Sequence, residues 1–204
     1  QNVLNQMKDD YKSSTIYQTT ITLYCMFSDA VENDVIYKNP VTKGIKHNIG
    51  KESKKVRALT IDEQKKFLEV AEKSSNYNQF AFVLQTGLRT GELIGLKWSD
   101  IDWEKRVIHI QRSMEYRYGV GEWRIGEPKS KSGYRDVPLT EEAVAILKRQ
   151  KEKLREIKVI NMQFKAHVFL CRKGEPTKNS AYDTSLFKLC DKAGIRRFSM
   201  HVLR

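Results

Sequence analysis

Near residue 106 the apolar residues stop recurring every three or four positions and begin to alternate, and near residue 140 the wider spacing returns. Alternation sends successive side chains to opposite faces of a strand, whereas a 3.6-residue period lines one face of a helix. Residues 106–114, rich in Val and Ile, and residues 122–127 and 135–139 are the expected strands. Turns at 119–121 and at Lys131-Ser132-Gly133 would join them. The implied fold class is mainly α with a small antiparallel β-sheet, an α+β arrangement.

The flanking helices carry their own punctuation. A helix over 15–33, capped by Ser14 or Thr15, places Ile16, Thr20, Leu23, Phe27 and Val31 on one stripe. Asn39-Pro40 stops any further helix at that point, because a residue before proline disfavours the helical region. Thr60-x-x-Glu63 is a capping box for a helix to about residue 73. A helix over 76–86 ends at Gly87, and a short one covers 92–97. Thr140 caps a long helix, with Leu139 and Val144 placed as a hydrophobic staple. Residues 167–171 read as a short strand, 180–193 as a helix closed by Gly194, and Ser199 as the cap of a last helix that begins at His201.

Between these regions, residues 42–57 turn polar and basic, with Lys43, Lys46, Lys51, Lys54, Lys55 and Arg57 and almost no core material. This stretch reads as a linker, and equally as a basic strap across a phosphate backbone. The expected organisation is a partial helical domain over 1–41, the linker over 42–57 and a second domain over 58–204, incomplete at its C-terminus. The chain opens on Gln1 and closes on Arg204, so both ends are expected to be cut.

The charge balance bears on partners. Lys and Arg number 37 against 25 Asp and Glu, a net charge of +12. Such a surplus attracts polyanions and suggests nucleic acid, although composition alone fits a merely basic soluble protein equally well. Cys25, Cys171 and Cys190 lack C-x-x-C spacing, which argues against a disulfide framework or a zinc ribbon and suits a reducing cytoplasm. No apolar run is long enough to span a bilayer.

The four histidines show no metal spacing, and Asp100, Asp102 and Glu104 read as a turn before a strand rather than as an ion cluster. Chemistry without a metal or cofactor is therefore expected, and the basic residues are its candidates. Arg89, in TGLRTGEL, stands between two helices, where a guanidinium can fork onto a phosphoryl group. Glu92 either orients Arg89 or favours the helix N-terminus. Lys131, at a hairpin tip, can act as a general acid, and Lys129 competes for that role. His201 and Arg204, three apart, would share one helix face.

Taken together, TGLRTGELIGLKWSDID, the hairpin PKSKSGYRDVPLT and SMHVLR resemble the tyrosine recombinase family, and most closely the integrases of conjugative transposons and phages. The resemblance is close over residues 56–204 and looser over 15–43. It implies that Arg89 is the first catalytic arginine and Glu92 its supporting acid. It implies that Lys131 protonates the leaving 5′ oxygen, and that His201 and Arg204 hold the scissile phosphate. Lys43, Lys46, Lys54, Lys55 and Lys129 would contact DNA. The implied fold is a clamp of a helical core-binding domain and a catalytic domain around double-stranded DNA, in a homo-oligomer that is a tetramer of two dimers. In this family the nucleophilic tyrosine lies C-terminal to the His-x-x-Arg motif, and none of the nine tyrosines present stands there. The 204 residues are therefore expected to bind DNA without cutting it. A non-enzymatic nucleic-acid-binding protein and a type IB topoisomerase are the competing readings.

Overall fold

The computed structural model describes residues 1–42, 49–52, 58–127 and 133–204. The chain divides into two compact units, Gln1–Val56 and Arg57–Arg204.

The first unit is built on α1 (Asn2–Met7) and α2 (Ser13–Glu32). The expected stripe faces inward: Ile16 and Thr20 are buried, and Leu23, Phe27 and Val31 are partly buried. The expected cap does not form. α2 begins at Ser13, with Lys12 at the N-cap and no side-chain cap. A returning segment contacts that end instead. Ser13 N–H donates to the Lys51 carbonyl at 3.1 Å, Ser13 Oγ donates to the Gly50 carbonyl at 3.3 Å, and Lys51 N–H donates to the Tyr11 carbonyl at 3.0 Å. Tertiary pairing thus replaces the local cap. Gly50 has φ +111°, and a Cβ there would lie 2.7 Å from Ile16 Cδ1 and 2.8 Å from the Tyr11 carbonyl. Glycine alone fits that approach. Lys43, Lys46, Lys54 and Lys55 lie outside the described residues.

The second unit is built around α4 (Tyr77–Thr86), which buries Asn78 to Val83 without interruption. A helix enclosed on all sides is a core helix. α3 (Ile61–Ala71), α6 (Glu141–Arg155) and α7 (Asn179–Ala193) complete the helical part with it. Phe67 meets Phe80 and Phe198 edge-on at 5.7 and 5.2 Å, and Phe80 meets Tyr182 at 6.1 Å. Two of the buried amides are matched as well. Asn78 Nδ2 donates to Gln150 Oε1, and Gln150 Nε2 donates to the Val168 carbonyl, both at 3.0 Å. The Thr60–Glu63 capping box, the Thr140 cap and the left-handed glycines 87 and 194 form as the sequence predicts.

The fold class holds, but the β region is divided differently. β2 (Val107–Ile110) and β3 (Ser113–Arg117) replace the single strand expected over 106–114. Between them Arg112 turns aside to pair with the buried Asp100. β2 lies between β1 (Ile101–Asp102) and β5 (Arg135–Pro138) in an antiparallel three-stranded sheet, with Ile108 opposite both Ile101 and Val137. β3 pairs with β4 (Glu122–Gly126) in a separate hairpin. The short strand expected at 167–171 is reduced to one bridge, His167 to Lys97, after which Val168, Phe169 and Leu170 are simply buried. The last helix expected from His201 is instead a hydrogen-bonded turn, Val202 N–H to the Ser199 carbonyl at 2.9 Å.

Candidate active site

Arg89 is held in place from both sides in sequence. α4 stops at Gly87, whose left-handed φ of +63° reverses the chain, and Leu88 is buried next to it. Arg89 is then the extended N-cap residue of α5 (Thr90–Gly95), which starts two residues earlier than its apolar pattern suggests. α5 lies directly on β3. A Cβ at Gly91 would sit 2.3 Å from Ser113 Oγ and 3.2 Å from the Met114 carbonyl, and one at Gly95 would sit 3.2 Å from Arg112 Cγ and 3.3 Å from Met114 Cβ. Two glycines four apart let this short helix approach the strand backbone.

Glu92 is the centre of the site. It is 4% exposed, and both of its oxygens accept twice. Oε2 accepts from the Arg89 backbone N–H and from Arg135 Nη2, and Oε1 from Arg89 Nη1 and Arg135 Nη1, all at 2.8 Å. A carboxylate can accept about four such bonds, so Glu92 is saturated. Burial alone would raise its pKa. The hydrogen bonds from Arg135 and from the Arg89 backbone and side chain outweigh burial and lower it to about 2. The orienting and helix-favouring roles considered for Glu92 are thus both present in one contact set. The Arg89 side chain remains 55% exposed, so its guanidinium is oriented yet open to a ligand.

Arg204 and His201 sit on the terminal turn. Phe198, Met200 and Leu203 anchor it by burial, and Met200 N–H donates to Asp183 Oδ1 at 3.2 Å. Arg204 Cγ lies within 3.8 Å of where a Gly87 Cβ would be, which puts its stem two residues from Arg89. His201 is exposed on the same turn. Lys129 and Lys131 lie outside the described residues. Among the described residues no group of three or more His, Cys, Asp or Glu side chains could hold a metal ion.

Sequence reading missed Arg135. The signal was available: alternation puts Arg135 on the same side of β5 as the buried Val137. An arginine facing the core requires a carboxylate there. It also missed Gly91, Gly95 and the Arg112–Asp100 pair, which bind α5 to the strands.

A saturated buried carboxylate thus aims an exposed arginine on an α+β domain, an arrangement whose guanidinium can fork onto an oxyanion. The chain belongs to the phage integrase family, whose model matches residues 57–204, and is related to the integrases of conjugative transposons. It is 29% identical to the transposase from transposon Tn916 of Enterococcus faecalis, over 93% of this chain and 48% of that protein. It is 30% identical to a XerC-like tyrosine recombinase of Caldanaerobacter subterraneus subsp. tengcongensis, over 100% of this chain and 57% of that protein. The chain thus spans about half the length of these curated relatives. The Tn1549 transposon integrase, solved in complex with transposon right end DNA, superposes with a TM-score of 0.81 at 26% identity, over 95% of this chain and 65% of that one.

Proposed function

We propose that this chain is the part of a site-specific tyrosine recombinase that binds double-stranded DNA and grips the phosphate to be cleaved. The observation that carries the reading is the contact of Glu92 with both Arg89 and Arg135, which fixes one exposed guanidinium before any DNA arrives. Attack on a phosphodiester gathers negative charge on its non-bridging oxygens. Donors that are already in place stabilise that charge without reorganising.

In this reading Arg89 and Arg204 bind the non-bridging oxygens and His201 completes the grip. Lys131 delivers a proton to the leaving 5′ oxygen, so that the 3′ phosphate is transferred to a tyrosine hydroxyl. Lys43, Lys46, Lys54, Lys55 and Lys129 contribute backbone contacts, and Glu92 acts only through the arginines.

The tyrosine itself comes from outside these 204 residues. None of the nine tyrosines present follows the His201-x-x-Arg204 motif, and four are engaged within the fold: Tyr182 is fully buried and burial pushes its hydroxyl pKa up, Tyr116 is covered by Lys178, Tyr118 bonds to Ser180 and Tyr77 faces Arg149. The 3′-phosphotyrosine bond stores the phosphodiester energy and returns it to a new 5′ hydroxyl, which is integration or excision of a mobile element. Exchange of two duplexes requires four active sites, hence a tetramer of two dimers on DNA. Among the described residues no helix is long and apolar enough to cross a membrane.

The test at the level of this chain is equilibrium binding to duplex DNA across salt concentrations. Log affinity should fall linearly with log salt, with a slope of about −0.9 per phosphate neutralised. An affinity that ignores salt would remove the reading.

A further inference from the structure

The end of α4 remote from Arg89 opens on a second basic site. A cleft of about 900 Å³ lies between the turn before α4, the end of α6 and the segment after Leu170. Lys73, Lys153, Lys158, Arg172 and Lys173 line it, against a single carboxylate, Glu156. None of these five cations takes part in an ion pair among the described residues. Lys153 is partly buried and donates to the Ser75 carbonyl, so its ammonium is fixed at the wall of the cleft. Burial and the nearby Arg172 charge push its pKa down, and the single carboxylate of Glu156 opposes them without prevailing.

The backbone contributes further positive character. Ser75 and Asn76 also line the cleft, and Asn76 is the N-cap of α4 without a side-chain cap. The positive end of the dipole of a ten-residue helix is therefore directed there. Arg89 lies beyond the other end of the same helix, which is about 15 Å long at 1.5 Å per residue.

We propose that this cleft binds a linear polyphosphate group, as carried by a nucleoside triphosphate or by inorganic polyphosphate. Its volume is that of a small-ligand site, which lies in the range of about 300–1,000 Å³. Cations arranged around a concavity favour a short chain of phosphates over a duplex, whose phosphates lie on a convex surface too wide to enter. Five cations against one carboxylate favour several negative charges over a single monoanion.

The experiment is calorimetric titration of the 204-residue chain with tripolyphosphate, with ATP and with a short DNA duplex, at one fixed salt concentration. The variants are Arg172→Glu with Lys173→Glu, both exposed, and separately Lys153→Gln, with thermal melts to confirm folding. One tripolyphosphate should bind per chain, and the double charge reversal should weaken it by about tenfold or more while duplex affinity changes by less than about threefold. ATP bound as tightly as tripolyphosphate assigns the site to nucleotides, and weaker ATP binding assigns it to inorganic chains; either result supports the proposal. Failure to bind either anion at millimolar concentration overturns it, as does equal binding by the folded double variant. Loss of duplex affinity in parallel with tripolyphosphate also overturns it, because the cleft is then a DNA contact.

Discussion

Arg135 reaches Glu92 with two parallel hydrogen bonds, Nη1 to Oε1 and Nη2 to Oε2, both 2.8 Å long, across 43 residues of sequence. This fork ties the sheet to the turn that presents Arg89. Arg89 and the start of β5 therefore share one anchor, Glu92.

Glu92→Ala should destabilise the second unit by about 3 kcal/mol, because it strands two guanidinium groups around a buried vacancy. Urea denaturation of the two proteins at pH 7 measures the difference. An unchanged midpoint would mean that Glu92 is not the organising contact.

The same carboxylate predicts an acid limb. The folded pKa of Glu92 is about 2, below the ordinary value of 4.5, so its contribution to stability is complete above about pH 5 and is lost as pH falls toward 2. The shift corresponds to about 3 kcal/mol across that window. Glu92→Gln should flatten this part of the stability–pH curve, and a curve of unaltered shape would count against the assignment.

Arg135→Lys keeps the charge but loses the parallel fork. The acid limb should then shift to higher pH, because Glu92 loses one of its stabilising bonds, while the alanine variant should shift it further. Acid titrations monitored by intrinsic fluorescence compare the three proteins. If the lysine variant matches the parent, a point charge is sufficient and the bidentate geometry is incidental.

Gly91→Ala should cost about 1–3 kcal/mol by overpacking α5 against β3. A Cβ there would meet both Ser113 Oγ and the Met114 carbonyl. Ser113→Ala should rescue the part due to the hydroxyl and leave the part due to the backbone. A double-mutant cycle separates the two, and full rescue would show that the strand carbonyl exerts no constraint.

Local signals in the sequence located the helices well. Thr60, Gly87, Thr140 and Gly194 act within one turn of chain, and each behaves in the structure as its chemistry dictates. The misses have a non-local cause. The start of α2 depends on Gly50 and Lys51, nearly forty residues away, and the break between β2 and β3 depends on Arg112 finding Asp100. Arg89 and Glu92 were legible because they lie three apart at a helix start. Arg135 was not, because its partner is on another element, and periodicity marks only the face on which such a residue lies.

The most direct measurement is covalent trapping on a nicked duplex by a protein that joins these residues to the nucleophilic tyrosine the proposal requires, compared at equal DNA occupancy for the parent, Arg89→Ala and Arg204→Ala. Each arginine variant should bind the duplex yet form the protein–DNA adduct about 10²–10³ times more slowly. Adduct formation at the parental rate by folded, DNA-bound Arg89→Ala would contradict the account.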